Sequence, residues 1–126
     1  MPQTLEQRRA AFALGKVISP VTASQMDKFK TQLVKLPARL HTNGLGQTVA
    51  FYLSAGRGKP EYEICSWLDA WLKEDGNPYQ NVNGALIDAI TGQDAATYRL
   101  ASAEARALAN WLKRFAEAFL GGEGNA

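Results

Sequence analysis

The stretch from Asp94 to Leu120, DAATYRLASAEARALANWLKRFAEAFL, decides the fold class of this chain. Its apolar residues recur every three or four positions, which places them within one third of the circumference of a helix. They are Tyr98, Ala101, Ala105, Leu108, Leu112, Phe115 and Phe119. Arg99, Arg106 and Lys113 recur at seven-residue intervals on the opposite side. The stretch predicts a long helix with one core face and one basic face.

The start of the chain carries a second set of helix signals. Thr4 and Gln7 have the spacing of a capping box, and the helix that they open is expected to end near Ser19, before Pro20. Its predicted core stripe consists of Ala10, Leu14, Val17 and Ile18. Its other side carries Leu5, Arg8, Arg9, Phe12 and Lys16. Apolar residues within a basic face indicate a contact with nucleic acid or another subunit, unless the helix is buried on all sides.

The next helix is predicted to begin at another capping box, formed by Thr22 and Gln25. Its predicted buried face consists of Met26, Phe29, Leu33, Leu36 and Leu40. Pro37 lacks a backbone donor, so we expect the helix to kink or break just before it, near Lys35. The dipeptide Asn43-Gly44 can end this helix, because both residues tolerate the left-handed conformation of a helix C-cap.

Further helices are predicted over residues 45–55, 61–74 and 82–90, with glycine and proline marking the loops between them. No alternating strand pattern and no fixed-period repeat interrupts them. The chain is therefore predicted to be a single all-α domain, a compact bundle of about six helices over residues 1–120. We expect the glycine-rich end, residues 121–126, to form a disordered tail.

Cysteine usage and the lack of long apolar runs indicate the cellular compartment. Cys65 is the only cysteine among the 126 residues, so no disulfide can form within the chain. No secretory leader is recognisable, and no apolar run approaches the roughly 20 residues of a membrane span. We expect a cytoplasmic protein with no membrane partner.

Charge divides the chain into two halves. Residues 1–60 hold nine Lys/Arg and two acids, whereas residues 61–126 hold five Lys/Arg and ten acids. This asymmetry indicates a basic surface for a polyanion and an acidic surface for solvent or a basic partner, unless the fold interleaves the halves. A further basic stripe on the second helix consists of Lys28, Lys35 and Arg39, and an ordinary solvated face is its alternative interpretation.

Residues suited to catalysis are few. His41 is the only histidine and has no carboxylate close in sequence, so neither a histidine metal site nor a Ser-His-Asp arrangement is predicted. The acids are scattered, and the two close pairs, at positions 61/63 and 74/75, stand at helix ends where charges are usually solvated. We predict no catalytic residue, no metal ligand, no cofactor and no small-molecule substrate.

The segment HTNGLGQT, residues 41–48, has the glycines of a phosphate-binding loop. No strand precedes it and no Lys-Ser/Thr pair ends it, so it does not predict a nucleotide site. Helix capping explains Gly44, and a tight helix junction explains Gly46. The backbone donors that open the following helix remain an alternative site for one phosphate of a polymer.

Four stretches of the chain, taken together, resemble a known family. They are Thr4–Ala10, Asn43–Thr48, Pro78-Tyr79, and the run from Tyr98-Arg99 through Glu104 to Trp111–Glu117. Their order and spacing and the total length are similar to those of the small helical subunit of the Cmr (type III-B) CRISPR effector complex. The resemblance covers nearly the whole chain.

The resemblance implies a subunit without catalytic activity that acts in antiviral defence. Such a subunit stacks in copies along the complex, beside the backbone subunits and near the large subunit, and lines the path of the guide RNA paired with target RNA. The resemblance adds Arg114 to the basic residues found above. The predicted RNA-contacting residues are then Arg8, Arg9, Lys16, Lys28, Lys35, Arg39, Arg99, Arg106, Lys113 and Arg114.

A stand-alone helical nucleic-acid-binding module is the alternative function, for instance a helix-turn-helix protein with its turn at Gly44. The recognition helix of such a protein would be rich in Arg, Asn and Gln, whereas residues 45–55 offer only Gln47. A metal nuclease is a third class, and the scattered acids disfavour it.

Overall fold

Six α-helices make up most of residues 2–121, the part of the chain that this computed structural model describes. They are α1 (Leu5–Val17), α2 (Pro20–Ala23), α3 (Met26–Leu53), α4 (Pro60–Leu72), α5 (Leu86–Gly92) and α6 (Ala95–Phe119). No strand occurs within these residues. The predicted all-α bundle of about six helices is confirmed. The predicted disordered tail, apart from Gly121, lies outside the described residues.

Helix α6 is the central element, because α1, α3 and α4 all pack against it. Asp94 caps its start by accepting a hydrogen bond from the Thr97 backbone N–H at 2.8 Å. The predicted core stripe is buried from Ala101 to Leu112. Phe119 is 54% exposed, so its predicted burial is wrong. The end of α6 is still covered on another side, where Ala116 and Leu120 are buried.

Helix α1 begins with the predicted capping box. The Gln7 backbone N–H donates to the Thr4 hydroxyl at 3.0 Å, and the Thr4 backbone N–H donates to the Gln7 side chain at 2.8 Å. The predicted core stripe is wrong at one end, because Ile18 is the C-cap residue and is 60% exposed. For Phe12, the structure favours the alternative of burial within the fold over a partner contact. Its ring packs on Trp71 of α4, with ring centroids 5.1 Å apart.

The link between α1 and α3 differs from its prediction. Pro20 stands at the first position of the short helix α2, which Ser19 caps. Thr22 is fully buried, and its hydroxyl donates to the Lys16 carbonyl at 2.7 Å. The predicted second capping box is therefore absent: α3 begins after Gln25 with no side-chain cap hydrogen bond. The first residue of α3, Met26, is 37% exposed and does not belong to the core.

Helix α3 continues through Pro37 and kinks at Gly44 instead. Gly44 is the one residue inside α3 with non-helical dihedral angles, φ 85° and ψ 164°. Of the predicted kink or break near Lys35, the break does not occur, and the predicted helix end at Asn43-Gly44 coincides with the non-helical Gly44. Buried leucines at positions 33, 36 and 40 flank Pro37, and their packing offsets the hydrogen bond that proline removes.

Helix α4 closes the core on the side of α3. Trp67 and Trp71 are both 2% exposed, and the Trp67 ring stacks on Phe29 of α3 with centroids 5.5 Å apart. Leu68 and Leu72 are buried, and Tyr62 is half-buried. The loop after α4 returns Tyr79, fully buried, to the core. Over residues 2–121, every helix is too short or too polar to cross a membrane.

Candidate nucleic-acid interface

The outer face of α6 carries Arg99, Arg106, Lys113 and Arg114, which we call the α6 basic face. Its members are exposed except for Lys113, which is half-buried. Residues seven apart stand about 10 Å from each other along a helix, so these cations form a row over about 20 Å. None of them forms an ion pair with another described residue. The row thus presents charge that the fold itself does not use.

An open groove runs beside this face, between the start of α1 and the second half of α6. Lys113 and Arg114 line one part of it with Asn110, and Glu117 adds one negative charge. Glu6 and Trp111 line the part where the two helices meet. The groove therefore joins two cations to polar side chains on a single accessible surface.

Arg9, a predicted RNA contact, is bound within the fold. Its Nε donates to Glu104 Oε2 at 2.7 Å and its Nη2 to Glu104 Oε1 at 2.9 Å. Its Nη1 donates to Glu6 Oε1 at 2.9 Å. The hydrogen bonds to Glu104 raise the pKa of Arg9 above its already high ordinary value. Arg9 thus joins α1 to α6, and its charge is neutralised there.

Glu104 receives these hydrogen bonds at the centre of a polar network. Trp71 Nε1 donates to Glu104 Oε2 at 2.8 Å, and Trp111 Nε1 donates to Glu6 Oε2 at 3.2 Å. Burial favours a raised pKa for Glu104, but the hydrogen bonds from Arg9 and Trp71 outweigh it and hold the pKa below its ordinary value. Sequence reasoning missed this network. The signal available in the sequence was Glu104 itself, an acid at the edge of the α6 core stripe. A buried acid needs a partner for its charge.

The remaining predicted contacts of α1 differ from each other. Arg8 is exposed, and its Nη1 lies 3.5 Å from the Asp75 carbonyl oxygen, a weak contact that leaves the charge available. Lys16 is half-buried, with its ammonium 5.2 Å from the centre of the Phe12 ring. The structure therefore does not bring Arg8, Arg9 and Lys16 together as one basic patch.

The predicted stripe on α3 divides in the same way. Lys28 and Lys35 are exposed. Arg39 is half-buried, and its Nη1 donates to Gln32 Oε1 at 2.6 Å and to the Tyr52 hydroxyl at 3.0 Å. Burial raises the pKa of Tyr52 despite the neighbouring guanidinium, so Tyr52 stays protonated at neutral pH. Arg39 is consequently held in place, whereas the two lysines are free of ion pairs with other described residues.

The Gly44–Gly46 junction has a structural explanation. The Gly46 backbone N–H donates to the Tyr98 hydroxyl at 3.0 Å. A Cβ atom on Gly46 would stand 3.4 Å from Ile90 Cγ2 and 3.5 Å from the Tyr98 hydroxyl. One backbone donor of the alternative phosphate site is therefore already used by the protein. Gly46 thus lies against Ile90 of α5 and Tyr98 of α6, at distances where a Cβ would make ordinary van der Waals contacts.

The described residues offer no metal centre. Within residues 2–121, no three His, Cys, Asp or Glu side chains come together as metal ligands. His41 is exposed. Burial, assisted by the nearby Asp69, raises the pKa of the Cys65 thiol to about 11, so the thiol is protonated and a weak nucleophile at neutral pH. What the surface can do chemically is to attract and hold a polyanion.

Two comparisons relate the chain to known proteins. A family model described as CRISPR-associated protein (Cas_Cmr5) matches residues 5–119, from the first residue of α1 to the last residue of α6. A relative from Thermotoga maritima, described as CRISPR system Cmr subunit Cmr5, is 28% identical over 123 residues. The alignment covers 98% of this chain and 90% of the relative.

Proposed function

Since the chain belongs to the Cas_Cmr5 family of CRISPR-associated proteins, we propose that it is a non-catalytic small subunit of a type III-B (Cmr) guide-RNA effector complex. The family match across all six helices carries this proposal. In the complex, the subunit stacks in copies beside the backbone and large subunits and lines the path of guide RNA paired with target RNA. The relative's description as a Cmr subunit supports the assignment to a complex.

The α6 basic face is the surface that we assign to the paired RNA. Its cations have no ion-pair partner among residues 2–121; Arg99, Arg106 and Lys113 follow one line along α6, and Arg114 stands next to Lys113. Lys and Arg side chains in a row neutralise successive phosphates and release their counterions, which favours binding without reading sequence. A subunit that serves every guide needs this kind of contact. Arg8 is exposed but lies beside Asp75 in the loop after α4, and Arg9 is bound to Glu104, so neither is assigned to this surface.

The distribution of charge supports stacking of copies. The exposed end of α4 carries Glu74 and Asp75, whereas α3 and α6 present basic faces. Surfaces of opposite sign on one molecule favour head-to-tail contacts, which extend into rows and do not close into a two-fold dimer. The neighbouring subunits would hold such copies in place, so individually weak contacts suffice.

The alternative, a stand-alone helix-turn-helix protein, receives no support from the kink in α3. The segment after Gly44 buries Leu45, Thr48 and Val49 against the rest of the bundle. Its exposed polar side chain is Gln47, which alone cannot read several base pairs. We therefore retain the complex subunit as the proposed function.

Purification of the tagged protein from its native cells tests this proposal. We expect several other subunits and short guide RNAs to co-purify in fixed proportion. The recovered complex should keep its target-cleaving activity when this subunit's dispersed acids other than Glu104, which holds three helices together, are neutralised. Recovery of the chain alone, or with DNA and no partner protein, would contradict the proposal and favour the stand-alone module.

A further inference from the structure

A second basic surface lies on α3 and the loop that follows it. Residues 28–59 hold six Lys/Arg and no acid. Lys28 and Lys59 line one open pocket, together with Thr31 and Gln32, and Glu61 is the acid at its edge. Lys35 is exposed and lies two turns further along α3, on the same side of the helix as Lys28. We call Lys28, Lys35, Arg39, Phe51 and Lys59 the α3 basic face.

Phe51 distinguishes this surface from the α6 basic face. Its side chain is 56% exposed, although its neighbour Tyr52 is fully buried. The guanidinium carbon of Arg39 lies 5.1 Å from the centre of the Phe51 ring and 5.5 Å from that of Tyr52. Because Arg39 is also hydrogen-bonded to Gln32 and Tyr52, the cation beside the exposed ring has a fixed position. The guanidinium lies over the ring, so the pair is a preorganised platform of one exposed ring and one cation in a basic surrounding.

Such a platform suits unpaired bases and not a duplex. The bases of an A-form duplex are stacked on each other, and proteins reach mainly its phosphates and 2′-hydroxyls. An unpaired base exposes its faces, and aromatic side chains and arginine planes stack on them while nearby cations track the phosphates. Trp111 borders the α6 basic face in the groove, but its indole is half-buried and hydrogen-bonded to Glu6, whereas the Phe51 ring is 56% exposed. The two surfaces therefore differ in the form of RNA that they fit.

We propose that the α3 basic face binds an unpaired stretch of RNA, with one base stacked on Phe51 beside Arg39 and phosphates near Lys28, Lys35 and Lys59. This inference rests on the proposed function for the choice of RNA as the polyanion. Lys28 and Lys35 are about 10 Å apart along α3, so the strand follows the helix axis across more than one nucleotide. The site reads no specific base, because every base has a face that can stack.

Binding of the full chain to a labelled single-stranded oligouridylate and to a matched RNA duplex, at about 50 mM salt, tests the proposal. We expect Phe51→Ala to weaken binding of the single strand by about fivefold or more and to leave duplex binding unchanged. Leu100→Ala is the matched control, because Leu100 is also an exposed apolar residue, at 64%, and lies on α6. Lys28→Glu with Lys35→Glu should weaken single-strand binding and flatten its salt dependence.

Four results would overturn the inference. The first is that the wild-type chain does not bind the single strand, and the second is that Phe51→Ala does not change this binding. The third is that Phe51→Ala weakens binding of the single strand and of the duplex equally. The fourth is that Phe51→Ala stops partner proteins from co-purifying and leaves RNA binding unchanged. An unfolding temperature of Phe51→Ala equal to that of the wild type verifies that the fold of the variant is intact. The proposed function is judged separately, by co-purification of the wild-type chain with other subunits, so either can fail while the other stands.

Discussion

At the scale of single residues, Glu104 has the largest structural effect that sequence reasoning missed. Its carboxylate is 9% exposed and accepts three hydrogen bonds, two from Arg9 and one from Trp71. These donors come from α1 and α4, so a single acid on α6 joins three helices. Removing one partner from such a pair leaves the other charge buried and unpaired, which costs more than the pair contributes.

We expect Glu104→Ala to lower the free energy of unfolding by about 3 kcal/mol, because Arg9 and Trp71 then lose their acceptor. Urea denaturation followed by circular dichroism measures this change. Glu117→Ala is the matched control on the same helix, since Glu117 is exposed and should change stability by less than about 0.5 kcal/mol. Equal stability of the two variants would show that the network does not hold the helices together.

The same carboxylate should make the fold sensitive to acid. The pKa of Glu104 in the folded protein lies below its ordinary value of 4.5, so the unfolded chain binds a proton first as the pH falls. The stabilisation is present above the ordinary pKa and is lost as the pH falls through the folded pKa. Thermal unfolding between about pH 7 and pH 3 should show a steeper loss for wild type than for Glu104→Gln. Parallel curves would assign the acid sensitivity to other carboxylates.

At the scale of elements, the kink of α3 depends on one glycine. Gly44 has φ 85° and ψ 164°, a combination that side chains with a Cβ rarely adopt. The kink turns the following segment, so that Leu45 and Val49 reach the core. The Tyr98 hydroxyl holds this segment by accepting the hydrogen bond from Gly46. The direction of the second half of α3 is thus set by backbone conformation at a single position.

We expect Gly44→Ala to destabilise the protein by about 1–3 kcal/mol through backbone strain alone. The matched control is Gly15→Ala in α1, where a Cβ would meet no atom within 4 Å and φ is not positive. That change should stabilise the protein by about 0.5–1 kcal/mol, because alanine favours a helix interior. Thermal and urea unfolding of both variants measure the difference, and effects of the same sign would contradict the assigned role of Gly44.

The sequence predicts a structural feature well where residues close together in the chain determine that feature. The capping box at Thr4 and the core stripe from Ala101 to Leu112 are of this kind, and both are confirmed. Predictions fail where a distant element decides. The sequence leaves the burial of Phe12 open, and Trp71 of α4 decides it, whereas Phe119 continues the apolar stripe of α6 and is nevertheless 54% exposed. Periodicity indicates one apolar side of a helix and not how far its neighbours cover that side.

The candidate site follows the same division. Spacing alone predicts that Arg99 and Arg106 share one face of α6, and the structure places them there exposed. Arg9 has the same appearance in the sequence, but its partner Glu104 is 95 residues away. No local pattern reports a pairing over such a separation. The basic residues that bind within the fold are therefore distinguished from those left free only by the tertiary structure.

At the scale of the whole molecule, the two oppositely charged halves of the sequence are interleaved. Helix α6, from the acidic half, packs between α1 and α3 of the basic half. The fold nevertheless keeps the outer faces of α3 and α6 basic, while acids collect at the end of α4. Interleaving thus redistributes the charge without cancelling it, and leaves more than one surface for a polyanion.

Reversal of the α6 basic face should alter RNA binding by the assembled complex. We expect Arg99→Glu, Arg106→Glu and Lys113→Glu, combined in one variant, to weaken target binding and to flatten its salt dependence. The log–log slope should fall by about 0.7–0.9 for each phosphate that the protein no longer neutralises. The weakening should be the same for unrelated guide sequences, because phosphate contacts carry no base information. Filter binding or fluorescence anisotropy over a salt series measures both quantities.

A single reversal at Lys73 is the control for charge, since Lys73 already pairs with Asp69 at 2.8 Å on α4 and lies outside the α6 basic face. Its salt slope should match wild type. If the combined α6 variant also assembles normally with unchanged affinity and slope, its cations are ordinary solvated surface. The α3 basic face would then be the remaining candidate for RNA.

The polar network around Glu104 also equips the protein with optical reporters of its own. The chain has three tryptophans, and the indoles of Trp71 and Trp111 are both held by carboxylates, at opposite ends of that network. Trp71 is buried, whereas Trp111 lines the open groove beside Lys113. The fluorescence of the tryptophans can therefore be separated by their accessibility to a quencher. A quencher in solution reaches the indole of Trp111 in the groove first, and it reaches the buried indoles only when the helices separate. Docking at the groove and loosening of the core can thus be followed without any attached dye.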